Sequence, residues 1–405
     1  MAKQNPLTDT ISAPATSMAN AGIGIIRISG DQSLSILKKL FRPYGENDFT
    51  PRKLILGKIY HPQKDKFLDE AMAVFFPGPY SYTKEDVVEF QCHGGNIVLS
   101  QVMEAILANG ARMAQRGEFT LRAFLNGRLD LTQAEAVLDI IEAKTAVSLD
   151  LAENQLSGKL SEALAPLEEE LLSLLAEIAA ALDFPEDIDI ISREEFSQRI
   201  EILDQKSEKL LAGADKGRIY REGLSVVLLG AANVGKSSLL NALLQEDRAI
   251  VTPMEGTTRD IIEEYLNLDG VPLLISDTAG LRQAVDEAEA IGIGKSRKKA
   301  ATAQIILLII DGSLPMTDDI KKLIEEYRSY HPIVVLNKAD IVDVSFWQDD
   351  LSSLYPELTS IIISAKTGYG LPSLKEIILN RALYSNKEEN NGFLINNLRH
   401  QEALL

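Results

Sequence analysis

The 405-residue chain is too long for a single hydrophobic core and predicts two or three domains, with 45% hydrophobic residues in the ordinary globular range. Its 59 acidic against 41 basic side chains give a net charge of −18, which argues against a broad non-specific nucleic-acid surface, because phosphate neutralisation drives such affinity. One cysteine, Cys92, excludes an internal disulfide and a cysteine-based zinc cluster, and four scattered histidines argue against a histidine metal site. With no apolar run of membrane-spanning length and no signal-peptide core in Met1–Ser12, the expectation is a cytoplasmic protein with no membrane segment.

Residues 1–118 alternate short apolar strands with Gly/Pro turns: GIGIIRISG at Gly22–Gly30, LILGKIY at Leu54–Tyr60, EAMAVFFPGPYSY at Glu70–Tyr82 and DVVEFQCHGG at Asp86–Gly95. One helical stretch follows Gly95, and this nearly neutral part, at net +1, predicts an α+β domain. Within it, Cys92-His93 reads as a core thiol beside a turn histidine rather than a catalytic pair. From 119 to 218 apolar residues recur every three or four positions, most clearly over Ala134–Phe184. The break DFPED (Asp183–Asp187) precedes a second helical stretch, Arg193–Gly217. Residues 219–380 alternate strand and helix in the doubly wound manner, and 381–405 return to polar, helical sequence. The predicted fold is therefore multidomain: an α+β N-terminal domain, an all-α helical domain of 119–218 plus 381–405, and an inserted α/β P-loop domain.

Five motifs stand in order in the second half, and together they imply a guanine-nucleotide switch. GAANVGKS (Gly230–Ser237) fits the P-loop pattern, between the apolar run Leu224–Leu229 and the helix-like Ser237–Leu244. Its residues Asn233, Val234, Gly235, Lys236, Ser237 and Ser238 are expected to wrap the phosphates, with Lys236 at the β- and γ-phosphates and the Ser237 hydroxyl on Mg²⁺. GTTRD (Gly256–Asp260) offers Thr258 to complete the metal shell, with Thr252 and Thr257 on the same stretch. DTAG (Asp277–Gly280) places Asp277 behind Mg²⁺ and Thr278, Ala279 and the Gly280 N–H towards the γ-phosphate. In NKAD, Asn337 is expected on the guanine Hoogsteen edge, with Lys338 next to it. Asp340 accepts the two donors that guanine offers and adenine lacks. SAK (Ser364, Ala365, Lys366) closes the base pocket with backbone donors.

Two absences are informative. After DTAG stands Leu281, which cannot orient an attacking water, so Glu289 in the next acidic cluster is the candidate; a solvated loop acid is the alternative. No arginine finger is evident either. A monovalent cation at the Asn233 side chain would supply that charge, against the alternative that Asn233 only serves turn chemistry.

Over essentially its whole length the chain resembles the MnmE (TrmE) family of tRNA-modification GTPases. The likeness rests on the five motifs and on GIGIIRISG, FPGPYSYTKEDVVEFQCHGG (Phe76–Gly95), RGEFTLRAFLNGRLDLTQAEAV (Arg116–Val137) and DFPED. It implies a potassium-dependent GTPase activated when two G domains meet, with potassium at Asn233, Thr252, Met254 and Thr257 and with Glu289 as the catalytic glutamate. It also implies that the N-terminal domain dimerises and binds a one-carbon tetrahydrofolate, 5-formyl or methylene, at Arg27, Glu89 and Arg128. The implied reaction adds a carboxymethylaminomethyl group to the wobble uridine of tRNA, with the flavoprotein MnmG (GidA) as partner. Family members end in a cysteine–apolar–glycine–lysine motif, whereas this sequence stops at Arg399–Leu405 in helical pattern, so a fragment or an incomplete sequence is expected. Two other readings stay open: a ribosome-assembly GTPase, which would need a basic RNA-binding appendage, and a folate-dependent aminomethyltransferase with a regulatory G domain. The net −11 of residues 119–219 argues against the first.

Overall fold

The computed structural model describes residues 9–45, 49–184, 186, 191–246, 264–277, 300–342, 346–383 and 395–404. The chain divides into two compact units, residues 1–138 and 139–405. Among the described residues no helix is long and apolar enough to cross a membrane.

The first unit is built on a seven-stranded sheet. Its strands are β1 (Ile11–Pro14), β2 (Ala21–Ser29), β3 (Phe41–Pro43), β4 (Ile55–His61), β5 (Lys66–Phe76), β6 (Val87–Gly94) and β7 (Arg112–Met113), in the order β3-β4-β5-β6-β2-β1-β7. All neighbours run antiparallel except β1 and β7. Alternate residues such as Ile26, Ile28, Val88 and Phe90 point into one core, as the two-residue period of a strand requires. Helices α1 (Ser33–Leu40) and α2 (Asn96–Leu107) cover that face with Ile36, Leu37, Leu40, Leu99, Val102 and Ile106. The helix α1 was not expected from the sequence.

The unit extends beyond the expected limit at 118, because α3 (Glu118–Leu125) is tied to the sheet by ion pairs. Arg122, only 2% exposed, donates to Asp9 Oδ1 at 2.6 Å, to both Glu85 oxygens at 3.2 Å and to Glu118 Oε1 at 3.2 Å. Arg112 closes the other side of Glu118, donating to Oε2 at 2.9 Å. The Arg112 guanidinium outweighs burial and holds the Glu118 carboxyl down at about 2.

The expected helical run over Ala134–Phe184, which begins in the first unit and continues in the second, is interrupted. It appears as α4 (Leu131–Glu142), α5 (Ala146–Leu156) and α6 (Lys159–Asp183). Thr145 starts α5 as a reciprocal cap with Ser148, which is a chain-entry signal that periodicity alone does not reveal. Helices α7 (Arg193–Leu211) and α8 (Ala214–Glu222) follow, and Leu167 and Leu174 of α6 meet Leu203 of α7. Ile395 and the helix Leu398–Leu404 join this layer through Leu160, Ala214 and Leu404.

A six-stranded sheet completes the unit. Its strands are β8 (Leu224–Leu229), β9 (Glu264–Leu268), β10 (Val271–Asp277), β11 (Ile305–Asp311), β12 (Ile333–Asn337) and β13 (Ser360–Ile362), ordered β13-β12-β11-β8-β10-β9. Only β9 is antiparallel to its neighbour. Both faces are covered, so the apolar runs are nearly continuous: Val226 and Leu228 enter one core, Val227 and Leu229 the other. The strand order reverses at β8, whose neighbours β10 and β11 lie on opposite sides, and ligands bind at such a switch point beyond the strand ends.

Candidate functional site

The loop Gly230–Gly235 leaves the C-terminal end of β8 and opens helix α9 (Lys236–Glu246). Asn233 adopts φ +64° and Gly235 φ +100°, backbone that turns successive N–H groups inward in anion-binding loops of this kind. A side chain at Gly235 would collide with the Asn337 amide nitrogen, so the loop passes directly over that residue. The Lys236 ammonium lies 2.8 Å from the Gly230 carbonyl and 2.6 Å from that of Ala231, holding its charge on the concave side of the loop. Ser237 and Ser238 are exposed at the start of α9.

Asn337 ends β12 and is buried. Its Nδ2 donates to the Val234 carbonyl at 2.9 Å, and its Oδ1 accepts from the Ala365 N–H at 3.0 Å. Both atoms of the amide are engaged by protein, so its first role is to brace the P-loop against the SAK loop. The Ala365 N–H, expected to face the base, is likewise spent on this brace. Asp340 accepts from the Ser364 hydroxyl at 2.7 Å, with Lys366 Nζ 4.0 Å from its other oxygen. The Ser364 bond, reinforced by nearby lysines, holds the Asp340 carboxyl below the usual carboxylate range and keeps it a pure acceptor.

Lys338, at φ +71°, reaches Asp311 Oδ2 at 2.6 Å. Burial would raise the Asp311 carboxyl, but Lys338 and Ser313 more than offset it and hold it low. This partner was not anticipated, although the sequence carries its signal: Asp311 ends the apolar run IILLIID, as Asp277 ends VPLLISD. The backbone of Asp277 pairs with Leu228 at the end of β10, level with the P-loop. Thr252, Met254, Thr257, Thr258, Thr278, Ala279, Gly280 and Glu289 lie outside the described residues.

A second cluster lies in the first unit. Arg27 of β2 and Glu89 of β6 are direct cross-strand partners, with Nε to Oε1 at 2.8 Å. The Arg27 guanidinium stands 5.3 Å from the Tyr82 ring centroid and 5.7 Å from that of Phe119. Arg128 approaches the same tyrosine, 4.8 Å from its ring and 3.1 Å from its carbonyl. The three residues expected at a folate site are thus brought together around Tyr82, whose hydroxyl bonds Thr120 at 2.9 Å. Sequence reasoning missed Tyr82 and Phe119, since neither an aromatic residue between turns nor one in the first turn of a helix carries a motif.

Cys92 is buried, and burial pushes its thiol up to about 12, which removes it as a nucleophile at neutral pH. His93 is not in a turn but in β6, with Nδ1 2.8 Å from Asp69 Oδ1, and this bond raises its affinity for the proton.

Comparison with known proteins agrees with this geometry. The family model described as GTP-binding protein TrmE N-terminus matches residues 10–128, and the MnmE helical domain model matches residues 131–405. A tRNA modification GTPase MnmE of Desulforamulus reducens is 45% identical over 403 residues, covering 98% of this chain and 87% of that protein. The proteins of the same name from Syntrophus aciditrophicus and Alkaliphilus metalliredigens are 44% and 42% identical, with the same coverage of 98% and 87%. The chain belongs to the MnmE family of tRNA modification GTPases.

Proposed function

We propose that GTP is hydrolysed at the face formed by Asn233–Ser238, Asp277–Gly280, Asn337–Asp340 and Ser364–Lys366, and that the cycle drives transfer of a folate-derived one-carbon unit to the wobble uridine of tRNA. The observation that carries this reading is the Asn337 brace, which joins three motifs remote in sequence at the strand ends. The ionised Asp340 would take the two N–H donors of guanine, a fork that adenine does not present. The hydroxyls of Ser237 and Thr258, backed by Asp277, are hard oxygen donors suited to Mg²⁺, which would shield the phosphate charge. Potassium at the Asn233 side chain, with Thr252, Met254 and Thr257, would supply positive charge where an arginine finger is lacking. Glu289 orients the attacking water, a task closed to Leu281.

In the first unit, Arg27, Glu89 and Arg128 would contact a tetrahydrofolate, 5-formyl or methylene, with Glu89 at its pterin donor edge. The bound folate supplies the one-carbon unit; the protein side chains bind and orient it. The half-buried Arg27 guanidinium beside the half-buried Tyr82 ring suits a flat, anionic ligand of this kind. The working assembly is a cytoplasmic homodimer, joined through the N-terminal domain, with its G domains of 219–380 closing on each other. The flavoprotein MnmG (GidA) would be its partner.

The test is GTP turnover in potassium and in sodium chloride at matched ionic strength, across a range of protein concentrations. Faster turnover in potassium, rising more than linearly with enzyme, is expected. Equal rates in both salts would leave Asn233 as a turn residue only.

A further inference from the structure

We infer that Lys144 and Thr145, outside every nucleotide-binding motif, set the preference between GTP and GDP by clamping the turn that joins β9 to β10. The two strands pair antiparallel from Leu268↔Val271 to Glu264↔Ile275. Asp269 at φ +48° and Gly270 at φ +92° form the two-residue turn, an Asp-Gly pair suited to a twisted ribbon. In sequence, β9 begins just after the GTTRD motif and β10 ends on the aspartate of DTAG. The two motifs therefore bracket this one ribbon in sequence.

The closed end is fastened to the loop between α4 and α5. Thr145 Oγ1 donates to the Gly270 carbonyl at 2.7 Å. The Val147 side chain fills the space where a Cβ of residue 270 would stand, which glycine alone leaves vacant. Lys144 Nζ lies 5.0 Å from the ring centroid of Tyr265 on β9. The anchor is stiff, because Thr145 is itself locked as the buried cap of α5, accepting from the Ser148 N–H at 3.1 Å. A ladder of backbone hydrogen bonds runs from this clamp to the open ends, so a shift at the motifs strains the clamp, and the reverse holds too. A contact whose free energy differs between the GTP and GDP states shifts the ratio of the two affinities by the same factor by which exchanging the nucleotides shifts the contact.

This inference rests on the guanine-nucleotide reading of the P-loop face. The test measures dissociation constants of the full chain for a fluorescent non-hydrolysable GTP analogue and for the matching GDP derivative, alongside the melting temperature. Thr145→Val should change the ratio of the two constants by about fivefold, the weight of one hydrogen bond. Thr145→Ser keeps the hydroxyl and should restore the wild-type ratio. Lys144→Met should move the ratio in the same direction by about twofold, and it decides the matter if Thr145→Val does not fold. A lower melting temperature with the ratio unchanged in both variants would make Thr145 only a helix cap and overturn the inference. A wild-type chain that binds neither nucleotide would instead overturn the reading of the site itself.

Discussion

The two clusters of functional side chains are built on opposite principles. At the P-loop face, short loops at strand ends are held largely through main-chain groups, and the buried Asn337 amide bonds to main chain on both sides. Around Tyr82, long charged side chains meet across strands and over aromatic rings, and the nearby Arg122 cluster is held almost wholly by ion pairs. The first arrangement fixes the shape of a cradle and leaves its charge to the ligand and its cations. The second fixes charge inside the protein before any ligand arrives. Substitutions in the two places should therefore fail in different ways.

The largest effect is expected in the first unit. Arg122→Met leaves Asp9, Glu85 and Glu118 without their shared cation and should cost about 3–5 kcal/mol, the usual penalty for stranding buried charge. Calorimetry should show the transition that GTP does not shift moving down, while the GTP-shifted transition stays. If both move together, the contrast between the two regions collapses. In the second unit, Asp340→Asn leaves the fold intact and should weaken discrimination for GTP over ATP by about 2–3 kcal/mol in competition binding. A variant as selective as the parent would remove Asp340 from base recognition.

The third expected effect is a titration. The Glu118 carboxyl sits at about 2 in the folded chain against 4.5 for the unperturbed group, so its stabilisation is complete above pH 4.5 and is lost as pH falls towards 2. An acid melt should find the first unit losing stability across that window, and Glu118→Gln should flatten the loss. A variant with the same acid profile would show that the stabilisation comes from elsewhere.

The same contrast governs what could be read from residues alone. The P-loop, NKAD and SAK segments were legible because backbone chemistry demands fixed residue types at fixed spacing, as at Gly235, where any side chain would strike Asn337. Their cross-bracing was not legible, since Asn337, Val234 and Ala365 meet only through the sheet. Arg27, Glu89 and Arg128 entered by resemblance, because a cross-strand pair and a ring between two guanidinium groups leave no pattern in the chain. The helix α1 escaped because its eight residues are too short for a clear period. The division of the long helical run into α4, α5 and α6 escaped because the Thr145 cap and the left-handed Gly158 break it without breaking the apolar rhythm.

Trp347 is the only tryptophan in the sequence and is fully buried, its indole N–H 3.1 Å from the carbonyls of Gly312 and Leu314. Those carbonyls belong to the loop that follows Asp311, the residue that holds Lys338. The protein therefore carries an intrinsic lamp beside the strand that ends in Asn337 and none in residues 1–138. Excited at the red edge of absorption, where tyrosine is dark, its emission reports on the nucleotide-binding half alone, and melting of the other half passes unseen unless a second optical signal is recorded alongside.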